Sequence, residues 1–315
     1  MALDDSWRRQ PAWLALRLLP GLGIPALDFA VAYQAAERVA DQRARFEKSL
    51  GLCQHGCDAQ SVHSARVQCR RLMARLYLLK EAFPSVTLDS TLRSLKRFLK
   101  RLGELRDVQV QKQALTNDLG LHPEVAGVWI ELGRREQELM RLVVETTRRF
   151  RLGKLARRMR ALEAELTDPT ARLAAKAHLR VTLIRAIEGT YADVNRRRLA
   201  IDPSVPSTVH RVRVAYKKFR YMIESLPPAI AQASRSQLSA MANYQAAMGR
   251  IQDIEVLDRF VKDYAERFPL IAPDLARFRQ VLLARRRLLV NEYLGLADSL
   301  LSFWPLHSTS IGPTG

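Results

Sequence analysis

Slide the 315-residue chain along itself by 147 positions and one helix falls on another. Val62, Ala65, Cys69, Leu72, Leu76 and Leu79 land on Val209, Val212, Tyr216, Phe219, Ile223 and Leu226. These positions recur every three or four residues, which is one face of an α-helix. A shift of 146 overlays the next segment, with Leu92, Leu95, Leu102, Gly103 and Asp107 on Leu238, Met241, Met248, Gly249 and Asp253. A chain that writes the same amphipathic helices twice at so long a period is built from two similar units. The units meet near 167–171. Each would bury its faces poorly alone, so one domain of two repeats is expected.

Helical period continues almost throughout, over 29–50, 62–83, 92–102, 124–150, 171–200, 208–226, 235–267 and 273–299. Strand signals are nearly absent. Breaks are expected at Gly51 and Gly56, Pro84, His122-Pro123, Asp168-Pro169, Asp202-Pro203, Pro227-Pro228, Pro269 and Pro273. About ten helices follow, and the fold class is an all-α bundle. Residues 1–27 read as an amino-terminal extension and 301–315 as a tail, with repeat one over about 28–167 and repeat two over about 171–300.

Charge narrows the function. The chain has 51 Lys and Arg against 32 Asp and Glu, a net +19 with a pI near 10.5. Self-repulsion of that size opposes a compact fold, and a polyanionic partner explains it: nucleic acid, an anionic membrane surface or a phosphate polymer. Arginine predominates, which suits oxyanions through its planar fork.

The repeated helix carries that charge on one side. "VHSARVQCRR" begins at Val62 and "VHRVRVAYKK" at Val209. With His63 at zero on a wheel of ~100° per residue, Arg66 and Arg70 fall within about 60° and Arg71 about 80° the other way. His210, Arg213, Lys217 and Lys218 repeat the arrangement, and Arg220 adds to one edge. Arg93, Lys96, Arg97, Lys100 and Arg101 form a second basic face in the first half; their second-half counterparts are Ser239, Ala242, Asn243, Ala246 and Ala247. Ser61 and Thr208 are expected N-caps, which places both histidines in a first helical turn beside free N–H donors and a positive dipole end. Such a helix start suits phosphate, and the following cations extend it into a track. The alternative reading is a solvated basic face, with the histidines serving only their helix starts.

Asp107 and Asp253 are expected to hold an arginine of their own half in place. Cys53, His55, Cys57, His63 and Cys69 do not match a zinc-finger spacing, so no metal is expected. Neither a Walker-type glycine loop nor a GxSxG elbow occurs. Three cysteines are too few for a disulfide scaffold and fit a reducing compartment.

On these residues the chain resembles the CHAD family, the conserved histidine α-helical domain. The resemblance rests on "VHSARVQCRRL" with "LKRFLKRLGELRDVQV", and on "VHRVRVAYKKFRY" with "YQAAMGRIQDIEVL". It covers about 28–300. It implies two pseudo-symmetric four-helix bundles around a basic central cleft that binds inorganic polyphosphate without catalysis or cofactor. Family members can be recruited to polyphosphate granules. The contacts it implies are His63, Arg66, Arg70, Arg71, Lys96, Lys100 and Arg106, then His210, Arg213, Lys217, Lys218 and Arg220. The basic face adds Arg93 and Arg97. Two departures stand out: Gln252 occupies the counterpart of Arg106, where the family often has asparagine, and the second basic face is unrepeated. An asymmetric cleft is therefore expected.

A nucleic-acid binder is the rival reading, because the same charge attracts DNA or RNA. Base stacking wants aromatics among the cations, and Tyr77, Phe98, Tyr216 and Phe219 mostly fall off the basic faces. Nucleic acid is expected as the weaker competitor. The segment "WLALRLLPGLGI" is too short and too poorly charged for strong lipid binding. No apolar run reaches the ~18–20 residues of a membrane span. No signal peptide is evident, so the expected location is cytoplasmic, including polyphosphate granules. The glutamate-rich strands of the triphosphate tunnel domain often fused to this family are absent from the sequence, so any polyphosphate-metabolising enzyme would act as a partner in trans.

Overall fold

The computed structural model describes residues 26–305 apart from 169, 172 and 177. The segment "WLALRLLPGLGI" and the last ten residues of the tail lie outside the described residues. The fold is all-α, as expected, with no strand among the described residues.

Among the described residues nine longer helices follow in order. They are α1 (Ala26–His55), α2 (Ala59–Ala82), α3 (Val86–Asp118), α4 (Ala126–Arg149), α5 (Leu152–Thr167), α6 (Leu179–Leu199), α7 (Pro206–Ser225), α8 (Arg235–Arg267) and α9 (Ala272–Leu296). A short turn, Leu173–Lys176, joins α5 to α6. Helices α3 and α8 are both 33 residues long. Each is followed by a 3-10 turn opened by proline, Pro123–Val125 before α4 and Pro269–Ile271 before α9. Helix α5 follows α4 directly, whereas α9 is followed by a 3-10 turn at Ala297–Ser302.

Local chemistry explains the starts. Ser85 caps α3 by accepting the Leu88 N–H at 3.1 Å. Ser234 caps α8 in a reciprocal box with Gln237. Pro206 opens α7, where its fixed φ suits the first turn and its missing N–H is no loss.

The helix expected over 171–200 is split into Leu173–Lys176 and α6, and three further boundaries depart from the periodicity. Helix α1 runs through Gly51 to His55, because buried Leu50 and Cys53 anchor its last turns. Helix α3 extends well beyond 92–102 at both ends, through buried Leu88 and Leu115. Helices α4 and α5 break at Phe150 and Arg151, with neither proline nor glycine at those two positions. Packing decides that break: the Phe150 ring lies 4.9 Å from Phe98 and 5.9 Å from Phe46, centroid to centroid.

The core differs between the two ends of the chain. Phe46, Phe98 and Phe150 pack edge-on and tilted in the first part. Tyr216, Tyr244, Tyr293 and Phe303 pack in the second. The tyrosine hydroxyls are satisfied, as burial requires: Tyr216 donates to the Met241 carbonyl at 3.1 Å, and Tyr244 bonds Tyr293 at 3.0 Å. Helix α2 packs on α6 and α7, and α3 touches α8. These contacts bring the two histidine-headed helices together.

Candidate functional site

The histidines stand one turn later than expected. Asp58, rather than Ser61, caps α2, its carboxylate accepting the Ser61 N–H at 2.7 Å. In α7 the helix opens at Pro206, and Thr208 instead donates to the Asp202 carbonyl at 2.8 Å. His63 and His210 are therefore each the fifth residue of their helix, beyond the free amides of the first turn. Burial and the neighbouring Arg106, Arg66 and Arg70 hold the His63 imidazole below its usual pKa. His210 Nδ1 is hydrogen-bonded to Gln252 Oε1, the residue at the Arg106 counterpart.

Arg66 and Arg213 follow, one turn on. Arg66 lies across Gly103 of α3, its Nη1 only 2.8 Å from where a β-carbon would stand. Arg213 lies over Gly249 of α8, 3.9 Å from the same point. Glycine in the "LG" and "MG" elements thus clears a bed for an arginine. Arg66 Nη1 and Arg213 Nε are buried and have no hydrogen-bond partner. Unsatisfied buried donors are costly, and an acceptor oxygen of a ligand would satisfy them.

The two halves share one electrostatic site. Arg66 is depressed to about 10 by burial and by Arg70, with Arg106 and Arg213 adding to the effect. Lys217 is depressed to about 6, chiefly by burial and then by Arg213, Arg70 and Arg66. Arg213 is lowered by burial, offset by Asp253. The expected direct aspartate–arginine pairs are not formed: neither Asp107 nor Asp253 has an ion pair among the described residues. Instead each acts at a distance, Asp107 on Arg66 of its own half and on Arg213 of the other, Asp253 on Arg213 and Lys217 of its own half. Asp253 is exposed along one edge, yet the surrounding protein pushes its carboxyl pKa up. The central set is His63, Arg66, Arg70 and Arg106 with His210, Arg213 and Lys217.

Other predicted site residues lie elsewhere. Arg71 donates to Glu224 at 3.2 Å, and Arg220 meets the same carboxylate at 2.9 Å. The Arg71–Glu224 pair ties α2 to α7, Arg220 holds the same carboxylate from within α7, and Glu224 neutralises part of both arginines' charge. Lys218 is exposed and stands over the Tyr77 ring at 5.7 Å. Arg93 and Lys96 are exposed on α3, while Arg97 and Lys100 line a separate hollow against α4 and α5. Phe98, Tyr216 and Phe219 are buried in the core.

Sequence reading missed Glu224, although its place four residues after Arg220 is a visible helical pair. It also missed Arg75, which burial depresses to about 10 and which bonds Gln42 on α1. Nothing in the local pattern separated Arg75 from its solvated neighbours. The three cysteines are buried and unpaired, and no cluster of three metal-ligating side chains occurs among the described residues.

The family model of the CHAD domain matches residues 35–262. The chain belongs to the CHAD family. A crystal structure of the CHAD domain from the plant Ricinus communis is similar at a TM-score of 0.67 and 18% identity, over 86% of this chain and 92% of that one. PptA from Streptomyces chartreusis is similar at a TM-score of 0.64 and 18% identity, over 86% of this chain and 99% of that one. At that identity the two structures speak to the CHAD fold alone. No curated protein matches the chain. No helix among the described residues is long and apolar enough to cross a membrane.

Proposed function

We propose that this protein binds inorganic polyphosphate between α2 and α7, holds it without hydrolysing it, and is carried by it to polyphosphate granules. One observation carries the reading. Arg66, Arg70 and Arg213 come from two helices 147 residues apart in sequence, together lower the proton affinity of Lys217, and have no ion pair among the described residues. Like charges gathered this closely cost folding free energy, and a polyanion repays it. Membership of the CHAD family supports the same ligand.

Contacts in this reading run from His63 and Arg106 through Arg66 and Arg70 to Arg213 and Lys217, with His210 at the far helix start. Asp107 and Asp253 keep the cations from being mutually prohibitive in the empty cleft. The aromatic rings near the site are buried or covered by Lys218, so the cleft offers no stacking platform for bases.

A competition titration tests this directly. Long-chain polyphosphate should displace duplex DNA and RNA at equal phosphate concentration and physiological salt. Stronger binding of either nucleic acid would replace the proposal. Incubation with polyphosphate or ATP and magnesium should release no phosphate.

A further inference from the structure

We infer a second oligophosphate-binding site in the hollow where α3, α4 and α5 meet. It shares ligand chemistry with the proposed central cleft but is built largely from residues outside the repeated motif.

The hollow encloses about 750 Å³, within the ordinary range of ligand sites. Arg97, Lys100 and Arg101 line it from α3. Arg149 and Arg151 come from the α4–α5 junction, and Lys154 and Arg158 from α5. No carboxylate lines it. Arg149 pairs with Glu145 at 2.6 Å and Arg101 lies 3.7 Å from Glu104, so those two are partly compensated. Arg97, Lys100, Arg151 and Lys154 pair with no carboxylate among the described residues. Arg158 is held by a 3.3 Å bond to Thr91. Phe98 and Phe150 form the floor, fixed by Phe46 behind them.

A further fact argues against a merely solvated basic face. The α8 residues at the positions of Arg97, Lys100 and Arg101 are Asn243, Ala246 and Ala247. A helix in this frame therefore folds without the charge. Among the described residues, α3 is followed by a helix, α5, that completes a concave wall, and α8 has no counterpart of it. Packed cations with no internal counter-charge suit a compact polyanion of linked phosphates. The phenylalanines are engaged with one another, which leaves charge as the main recognition element.

Lysine footprinting of the intact chain with an acylating reagent tests the inference. Tripolyphosphate should slow modification of Lys154 at least about fivefold, while remote Lys262 is unaffected. Arg151→Ala with Arg158→Ala should abolish protection of Lys154 at that concentration. Lys217 in the same sample reports the central cleft, so failure of one site is distinguishable from failure of the other. Lys154 modified at an unchanged rate while Lys217 is protected would overturn the second site and leave the first. Lys154 protection that survives the double substitution would also overturn it. ATP should protect no better than tripolyphosphate; protection at tenfold lower ATP would identify a nucleotide site and overturn the oligophosphate assignment.

Discussion

Helices α3 and α8 are equal in length, enter from a serine cap and leave into a proline-led 3-10 turn. Each carries a glycine under an arginine and an aspartate four residues later, Gly103 with Asp107 and Gly249 with Asp253. Beyond that shared core they diverge. Arg93, Lys96, Arg97 and Lys100 on α3 stand where α8 has Ser239, Ala242, Asn243 and Ala246. The common part lies where α2 packs on α7 and α3 touches α8. The unshared part follows the surroundings: among the described residues α3 has α5 beside it and α8 has no such helix. A repeated scaffold thus keeps what faces its copy and alters what faces the rest of the protein.

Removing the shared element should have the largest effect. Arg70→Ala with Lys217→Ala should weaken polyphosphate binding by about 3 kcal/mol, because both cations are half-buried and charge-assisted bonds are strong there. Equal loss from Arg134→Ala with Arg135→Ala would mean diffuse attraction without a defined cleft.

Acidity should sharpen the comparison next. Lys217 in the empty cleft is unprotonated above about 6. Polyphosphate favours the ammonium form, so binding above that pH takes up a proton and tightens as pH falls from 8 to 6. The gain approaches about tenfold per pH unit, as one proton's linkage allows. Below the depressed pKa the lysine is already charged and its contribution to the slope disappears. His63, also held below its usual pKa, adds uptake in the same direction. Calorimetry in buffers of different ionisation enthalpy measures the protons; Lys217→Arg should bind well and lose most of the uptake. A Lys217→Arg variant with undiminished uptake would shift the switch to the histidines.

Making α3 resemble α8 isolates the unshared part. Arg93→Ser, Lys96→Ala, Arg97→Asn and Lys100→Ala together should cost about 2 kcal/mol at low salt, as several exposed phosphate contacts are lost. The salt dependence should flatten by about one unit of slope for each contact removed. An unchanged slope would mean that these cations never meet the polymer.

The clamp should behave as structure. Glu224→Ala leaves Arg71 and Arg220 without their shared carboxylate and should destabilise the fold by about 1–2 kcal/mol, read as a lowered denaturation midpoint. Polyphosphate affinity should hold or rise, since two arginines are released. The smallest effect distinguishes the glycines. Gly103→Ala pushes against Arg66 and should weaken binding severalfold, whereas Gly249→Ala meets only ordinary contact with Arg213. The latter should stabilise α8 by up to about 1 kcal/mol through helix propensity.

Fold class, the repeated helical faces and the central His63–Arg66–Arg70 and His210–Arg213–Lys217 stripes are legible in the chain itself, because a 3.6-residue period writes a helix's faces directly into residue order. The "LG…RD" and "MG…QD" elements were visible too, though the arginine lying on each glycine was not. Spacing along one helix says nothing of what a side chain meets on another. Arg71 and Arg220 share the basic stripes of the cleft residues; Arg220 meets Glu224 one turn along its own helix, but only packing of α2 on α7 delivered Arg71 to it. Lys217 reads as one more cation of the basic stripe; its depressed proton affinity exists because distant cations and low-dielectric protein surround it. The break at Phe150 has neither proline nor glycine at the break itself, yet the aromatic triangle with Phe46 and Phe98 imposes it and turns α5 back to close the hollow. Local periodicity determines which residues are helical and which side is charged; the assembled helices determine which charges are neutralised, which are desolvated and which remain for a ligand.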